Sequence, residues 1–157
     1  LNRNISKMFE KASKLCEEEN YIQALKYYED ILQIKSDTIT AIIDYGVTLQ
    51  NLGRLRHALK IYDTALTIQP KNLTALINKG SVLHTLEKYS EAIFYYDIAL
   101  NLDKKNTLAI AYKGLSLGEM GDIPLAIKYF KKALSIDDDY ELAQISLNIA
   151  NNMIKLH

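Results

Sequence analysis

The chain has 157 residues, 48% of them hydrophobic and 24% charged, the proportions of a folded domain and not of a disordered one. Lys plus Arg and Asp plus Glu are both 19, so the formal net charge is zero and no overall field draws the chain to nucleic acid, acidic substrates or an anionic membrane surface. Cys16 is the single cysteine, which excludes an internal disulfide and gives a reducing compartment, the cytoplasm, as the expected location.

No stretch reaches the roughly 20 apolar residues that a membrane helix needs, and the first residues, Leu1 to Lys7, contain no signal-peptide core. The missing initiator Met is read as the mark of a processed or excised piece. A targeting segment or a catalytic domain outside this sequence is compatible with that.

In chain order, one segment recurs. Ala24 to Leu32 returns as Ala58 to Leu66, as Ala92 to Leu100 and as Ala126 to Leu134, each copy 34 residues after the last. A fixed period of that length without insertions predicts a helical solenoid. The repeats are placed at residues 5–38, 39–72, 73–106 and 107–140, with a tail at 141–157. Each repeat splits into two helices. In the second, apolar residues fall at Ile42, Tyr45, Leu49 and Leu52, then at Leu55, Leu59, Tyr62, Leu66 and Ile68, along helix faces. The turns between paired helices are Glu19-Asn20, Gly53-Arg54, Glu87-Lys88 and Gly121-Asp122, and Pro124 falls in a first helical turn. Thr38, Asn72 and Asn106 are the expected N-caps.

Two columns of small residues make the period rigid: Ala12, Gly46, Gly80 and Gly114, and Ala24, Ala58, Ala92 and Ala126. Glycine inside a helix costs about 1 kcal/mol against alanine, so three in register imply a close helix approach in return. The aromatic column Tyr28, Tyr62, Tyr96 and Phe130 is expected to fill the space against the next repeat. The tail carries Leu142, Ile145, Ile149, Met153 and Leu156 on one face and Asn148, Asn151 and Asn152 elsewhere, as expected of a helix that caps the end of a stack, with a truncated fifth repeat as the alternative. Met8 and Phe9, in a first helix with no cap before it, are expected to be partly exposed.

These residues resemble the tetratricopeptide repeat family. Its small, small, aromatic, small pattern is matched at Gly46, Ala58, Tyr62 and Ala65 with Pro70 at the terminal proline, at Gly80, Ala92, Tyr96 and Ala99, and at Gly114, Ala126, Phe130 and Ala133. The first repeat departs with Ala12 and Ile31. The resemblance implies an all-α fold, an α-solenoid in which antiparallel helix pairs wind into a right-handed superhelix.

No chemistry-bearing cluster is expected. Cys16 and His84 hold the same place in repeats 1 and 3, which packed helices separate by roughly 20 Å, too far for shared metal ligation or a thiolate–histidine pair. His57 lies in a second helix and His157 ends the chain. The acidic runs Glu17 to Glu19 and Asp137 to Asp139 lack the glycine and spacing of a calcium loop. The expectation is no enzyme, no cofactor and no metal, but an interaction scaffold.

In the family the first helix of each repeat lines a concave groove. Carried over, the resemblance implies Phe9, Glu10 and Ser13 in repeat 1, and Ile43, Asp44, Val47 and Gln50 in repeat 2. Repeat 3 supplies Ile77, Asn78, Ser81 and His84, and repeat 4 supplies Tyr112, Leu115 and Glu119. Such a surface suits a peptide or helical segment of a partner protein. Family members that bind the acidic C-terminal tails of heat-shock chaperones use a basic clamp. The matching positions here are Phe9, Ser13, Asp44, Thr74 and Asn78, or one repeat further on Ile43, Val47, Asn78, Leu108 and Tyr112, and none is basic. Chaperone tails, nucleic acid and membrane are therefore not the expected partners. The terminal helices are candidates for pairing with a second copy, and a substrate-recruiting arm of a larger enzyme is the alternative function.

Overall fold

The computed structural model describes residues 2–156, so His157 lies outside the described residues. Among the described residues there are nine helices and no strand: α1 (Asn2–Glu17), α2 (Tyr21–Ile34), α3 (Ile39–Asn51), α4 (Leu55–Ile68), α5 (Leu73–Thr85), α6 (Tyr89–Leu102), α7 (Thr107–Glu119), α8 (Ile123–Ile136) and α9 (Glu141–Lys155). The chain divides into two compact units, one running to Val82 and one from Leu83, with the division inside α5. In the first unit α1 packs on α2, α2 on α3 and α3 on α4. In the second, α6 packs on α7, α7 on α8 and α8 on α9, and α9 also touches α7. Within each unit these helices pack in sequence order, and the fold is the all-α solenoid that the period predicts.

The turns within helix pairs repeat one backbone solution. Glu19, Gly53, Glu87 and Gly121, each 34 residues from the next, have φ of 58°, 71°, 60° and 89°. The following amide closes each helix by donating to a carbonyl five residues back, as from Asn20 to Leu15 (2.7 Å) and from Asp122 to Leu117 (3.0 Å). Glycine adopts this left-handed conformation freely. Glu19 and Glu87 hold it at a cost of about 1–2 kcal/mol. Two of the three expected N-caps act through their side chains: Asn72 accepts from the Ala75 amide at 2.9 Å and Asn106 from the Ala109 amide at 3.0 Å. Thr38 starts α3 differently, its hydroxyl donating back to the Lys35 carbonyl at 2.9 Å. Asp122 caps α8, accepting from Leu125 at 3.2 Å, and Pro124 stands in that first turn.

The small and aromatic columns meet within each pair. A Cβ built on Gly46 would lie 2.5 Å from Cε1 of Tyr62, and one on Gly114 would lie 2.7 Å from Cε1 of Phe130. The rings thus lie on the glycine of their own helix pair as well as facing the following helix, where Tyr96 meets Tyr112 edge-on with centroids 5.9 Å apart. Tyr28, Tyr62, Tyr96 and Phe130 are all buried.

Successive pairs are also clasped at one recurring place, between residues 16 apart. Tyr45 donates to Glu29 at 2.9 Å, Lys79 pairs with Asp63, and Lys113 pairs with Asp97 at 2.6 Å while lying over the Tyr129 ring. Burial and the bond to Glu29 push the Tyr45 hydroxyl up to about 12.

The last helix corrects one expectation. α9 packs through Ala143, Ser146 and Ala150, with Leu142 and Leu147 partly buried beside them, and not through Ile145, Ile149 or Met153. Ile145, Ile149 and Met153 are 50%, 57% and 46% exposed. Small residues let α9 lie close against α7 and α8, and that rotation leaves the larger side chains open. Asn148 and Asn152 are exposed as well, so the open side of α9 mixes polar and large apolar residues.

Gly46→Ala and Gly114→Ala should each lower stability by about 1–3 kcal/mol despite the better helix former, because each methyl overlaps a buried ring. Gly118→Ala, whose Cβ would meet only the Ala126 Cβ at 3.8 Å, should be neutral or stabilising. Urea unfolding midpoints check all three.

Candidate functional site

The residues expected on the faces of the first helices are not equivalent. In the first unit Ile43 and Ile77 are 9% and 4% exposed and belong to the core: Ile43 packs with Ile42, Ala65 and Ala75 and has almost no surface to offer a ligand. Phe9 is half-buried and meets Tyr28 edge-on at 6.2 Å. Gln50 accepts a hydrogen bond from the Tyr62 hydroxyl, and Asn78 bonds to the same tyrosine. Both amides serve the interior as much as the surface. Val47 is open at 37% exposure, and Ser81 is half-buried.

Asp44 is the distinctive group of this unit. It is half-buried and forms no ion pair among the described residues. Burial raises its pKa; Tyr28 and Tyr62 are raised mainly by their own burial, with the Asp44 charge adding to it. A carboxylate held away from water without a countercharge favours a cationic partner.

In the second unit His84 Nδ1 lies 2.8 Å from the Ser116 hydroxyl, and its ring meets Tyr89 edge-on at 5.2 Å. Burial lowers the His84 pKa, and the Glu119 charge opposes that shift. A serine beside a histidine and a carboxylate has the composition of a catalytic triad, but Ser116 is fully buried and no substrate reaches its oxygen. Tyr112 is half-buried against Tyr96.

Leu115 and Glu119 line an open cavity of about 240 Å³ between α7, α8 and α9, together with Phe130, Ile149 and Met153. Three of these lie outside the residues expected from the family groove. Phe130 appears in the sequence only as core, and Ile149 and Met153 only as the apolar face of a cap; the rotation of α9 described above is what opens them. Among the described residues no group of three or more His, Cys, Asp or Glu is placed to hold a metal ion, and no helix is long and apolar enough to cross a membrane.

Asp44 supplies a pH signature. Its folded pKa is raised above its unfolded value, so the ionised form opposes folding at neutral pH, and that opposition is relieved as pH falls through the folded pKa. Asp44→Asn should therefore be more stable than the native chain at pH 7. The difference should narrow as the solution is acidified toward pH ~4, which denaturant titrations at several pH values check.

A family model described as Tetratricopeptide repeat matches residues 39–72, 73–106 and 113–140, together more than half of the chain. No curated protein matches the sequence. Among solved structures, MamA 41-end from Desulfovibrio magneticus RS-1 aligns with a TM-score of 0.83 at 18% identity, over 96% of this chain and 85% of that one. YrrB, described as a TPR protein with an unusual peptide-binding site, aligns with a TM-score of 0.70 at 22% identity, over 92% of this chain and 74% of that one. The first TPR of Spaghetti (RPAP3), bound to the HSP90 peptide SRMEEVD, gives 0.71 at 18% identity, over 77% of this chain and 96% of that one. At these identities the likeness is one of fold. With the repeated helix pairs, the ring-on-glycine contacts and the family match in agreement, the chain belongs to the tetratricopeptide repeat family.

Proposed function

We infer that the chain is a non-enzymatic interaction scaffold that holds a peptide or helical segment of a partner protein against its first helices. The observation that carries this reading is the open apolar surface of the second unit, where Leu115, Ile149 and Met153 surround a cavity large enough for a side chain. Apolar surface left open on a helix face, with polar groups at its margin, is the usual character of a peptide-binding site. The first unit offers a second, more polar patch at Asp44, Val47 and Gln50. YrrB and the RPAP3 repeat, as described, bind peptides on the same fold.

The charge of these faces selects against acidic ligands. Among the residues carried over from the family groove, Glu10, Asp44 and Glu119 are acidic and none is Lys or Arg. An acidic C-terminal tail would meet like charge instead of a clamp.

Two measurements test the reading. In calorimetry the peptide SRMEEVD should show no micromolar binding, and micromolar binding would contradict the charge argument. Peptides captured from a random display library should be lost by Val47→Glu or Ile149→Glu and kept by Phe94→Glu, which changes a side chain 60% exposed on the second helix α6. Capture that survives both Val47→Glu and Ile149→Glu would overturn the proposal.

A further inference from the structure

One column of the repeat accounts for the space at the cavity. The column runs Cys16, Gln50, His84 and Gly118. In the first three copies the side chain braces its junction. Cys16 Sγ lies 3.9 Å from the Tyr28 hydroxyl and 3.7 Å from the Thr48 hydroxyl. Gln50 accepts from the Tyr62 hydroxyl, and His84 meets Ser116. In the fourth copy the brace and its partners are missing together: Gly118 has no side chain, Phe130 has no hydroxyl, and Ala150 stands 34 residues after Ser116. The space left is the cavity of about 240 Å³.

Gly118 also lacks the steric reason that Gly46 and Gly114 have. Its Cβ would meet nothing nearer than 3.8 Å, and its backbone is helical. A glycine that costs the helix about 1 kcal/mol and makes no close approach is explained by the space it leaves. That space is ample for a ring, since apolar cavities of about 150 Å³ accept benzene.

The cavity has one charge. Glu119 lines it, is exposed, and forms no ion pair among the described residues; its field is felt at His84 and Tyr89. We propose that the cavity beside Gly118 seats a bulky apolar side chain of a partner peptide, and that a neighbouring Lys or Arg of that peptide pairs with Glu119. This rests on the scaffold reading and adds the chemistry of the ligand to it. An isolated apolar molecule would leave Glu119 unused, whereas a cationic, apolar segment uses both features.

The test is selection of a random-peptide display library on the full chain, with the retained peptides titrated against variants. Peptides carrying Phe, Leu or Ile close to Lys or Arg should dominate. Gly118→Gln, which restores the side chain of Gln50, should weaken them by about ten- to a hundredfold, the value of one buried apolar side chain, with an unchanged helical circular dichroism signal. Glu119→Lys should reverse the preference between a basic peptide and its Glu-substituted twin, and this exposed change keeps the test decisive should Gly118→Gln lose helicity. Unchanged affinity in both variants overturns the proposal, while loss in Ile149→Glu alone would still leave the scaffold reading in place. If the native chain retains no peptide, both readings fall. A dimer in light scattering that Gly118→Gln dissolves would make a second copy the occupant and overturn the peptide assignment.

Discussion

The contact on which the rest of the structure depends is an aromatic ring lying on a glycine, Tyr62 on Gly46 and Phe130 on Gly114, where a single methyl group would overlap the ring. That contact sets how closely the two helices of a pair approach. The ring is buried on every side, so it faces the next helix as well and passes the spacing along the chain. A left-handed turn after each first helix and a polar clasp between pairs then have only one register to occupy. The 34-residue period is the sequence record of this constraint, and a residue inserted in a helix between a glycine and its ring would turn the two out of register.

Within so regular a frame, function depends on departures from it. The column Cys16, Gln50, His84 and Gly118 shows how little is needed. A side chain there reaches a buried hydroxyl and closes the junction; its absence, together with the change from tyrosine to phenylalanine at Phe130, leaves an apolar cavity open to a ligand. The same economy is seen in α9, where Ala143, Ser146 and Ala150 bring the helix close and turn Ile145 and Ile149 outward.

The fold was legible in the sequence because it is encoded redundantly: each column is written four times, and steric demands on glycine, alanine and ring positions act locally. The turns at Glu19 and Glu87 were located even though their residues carry strain, since Gly53 and Gly121 mark the same place one repeat away. The candidate surface was less legible. Ile43 and Ile77 occupy groove positions by analogy but rotate into the core, and Gln50 and Asn78 spend hydrogen bonds on Tyr62. The cavity was hidden because its lining comes from three helices and from the rotation of α9, which small residues decide and apolar periodicity does not report. The one available signal was Gly118 itself, a helical glycine outside the glycine column.

A crystal structure of the chain with a selected peptide tests the central claim most directly. The account predicts a bulky apolar side chain beside Gly118 and Phe130, with a Lys or Arg of the peptide within ion-pair distance of Glu119. A peptide seated on the second helices with the cavity unfilled would contradict it.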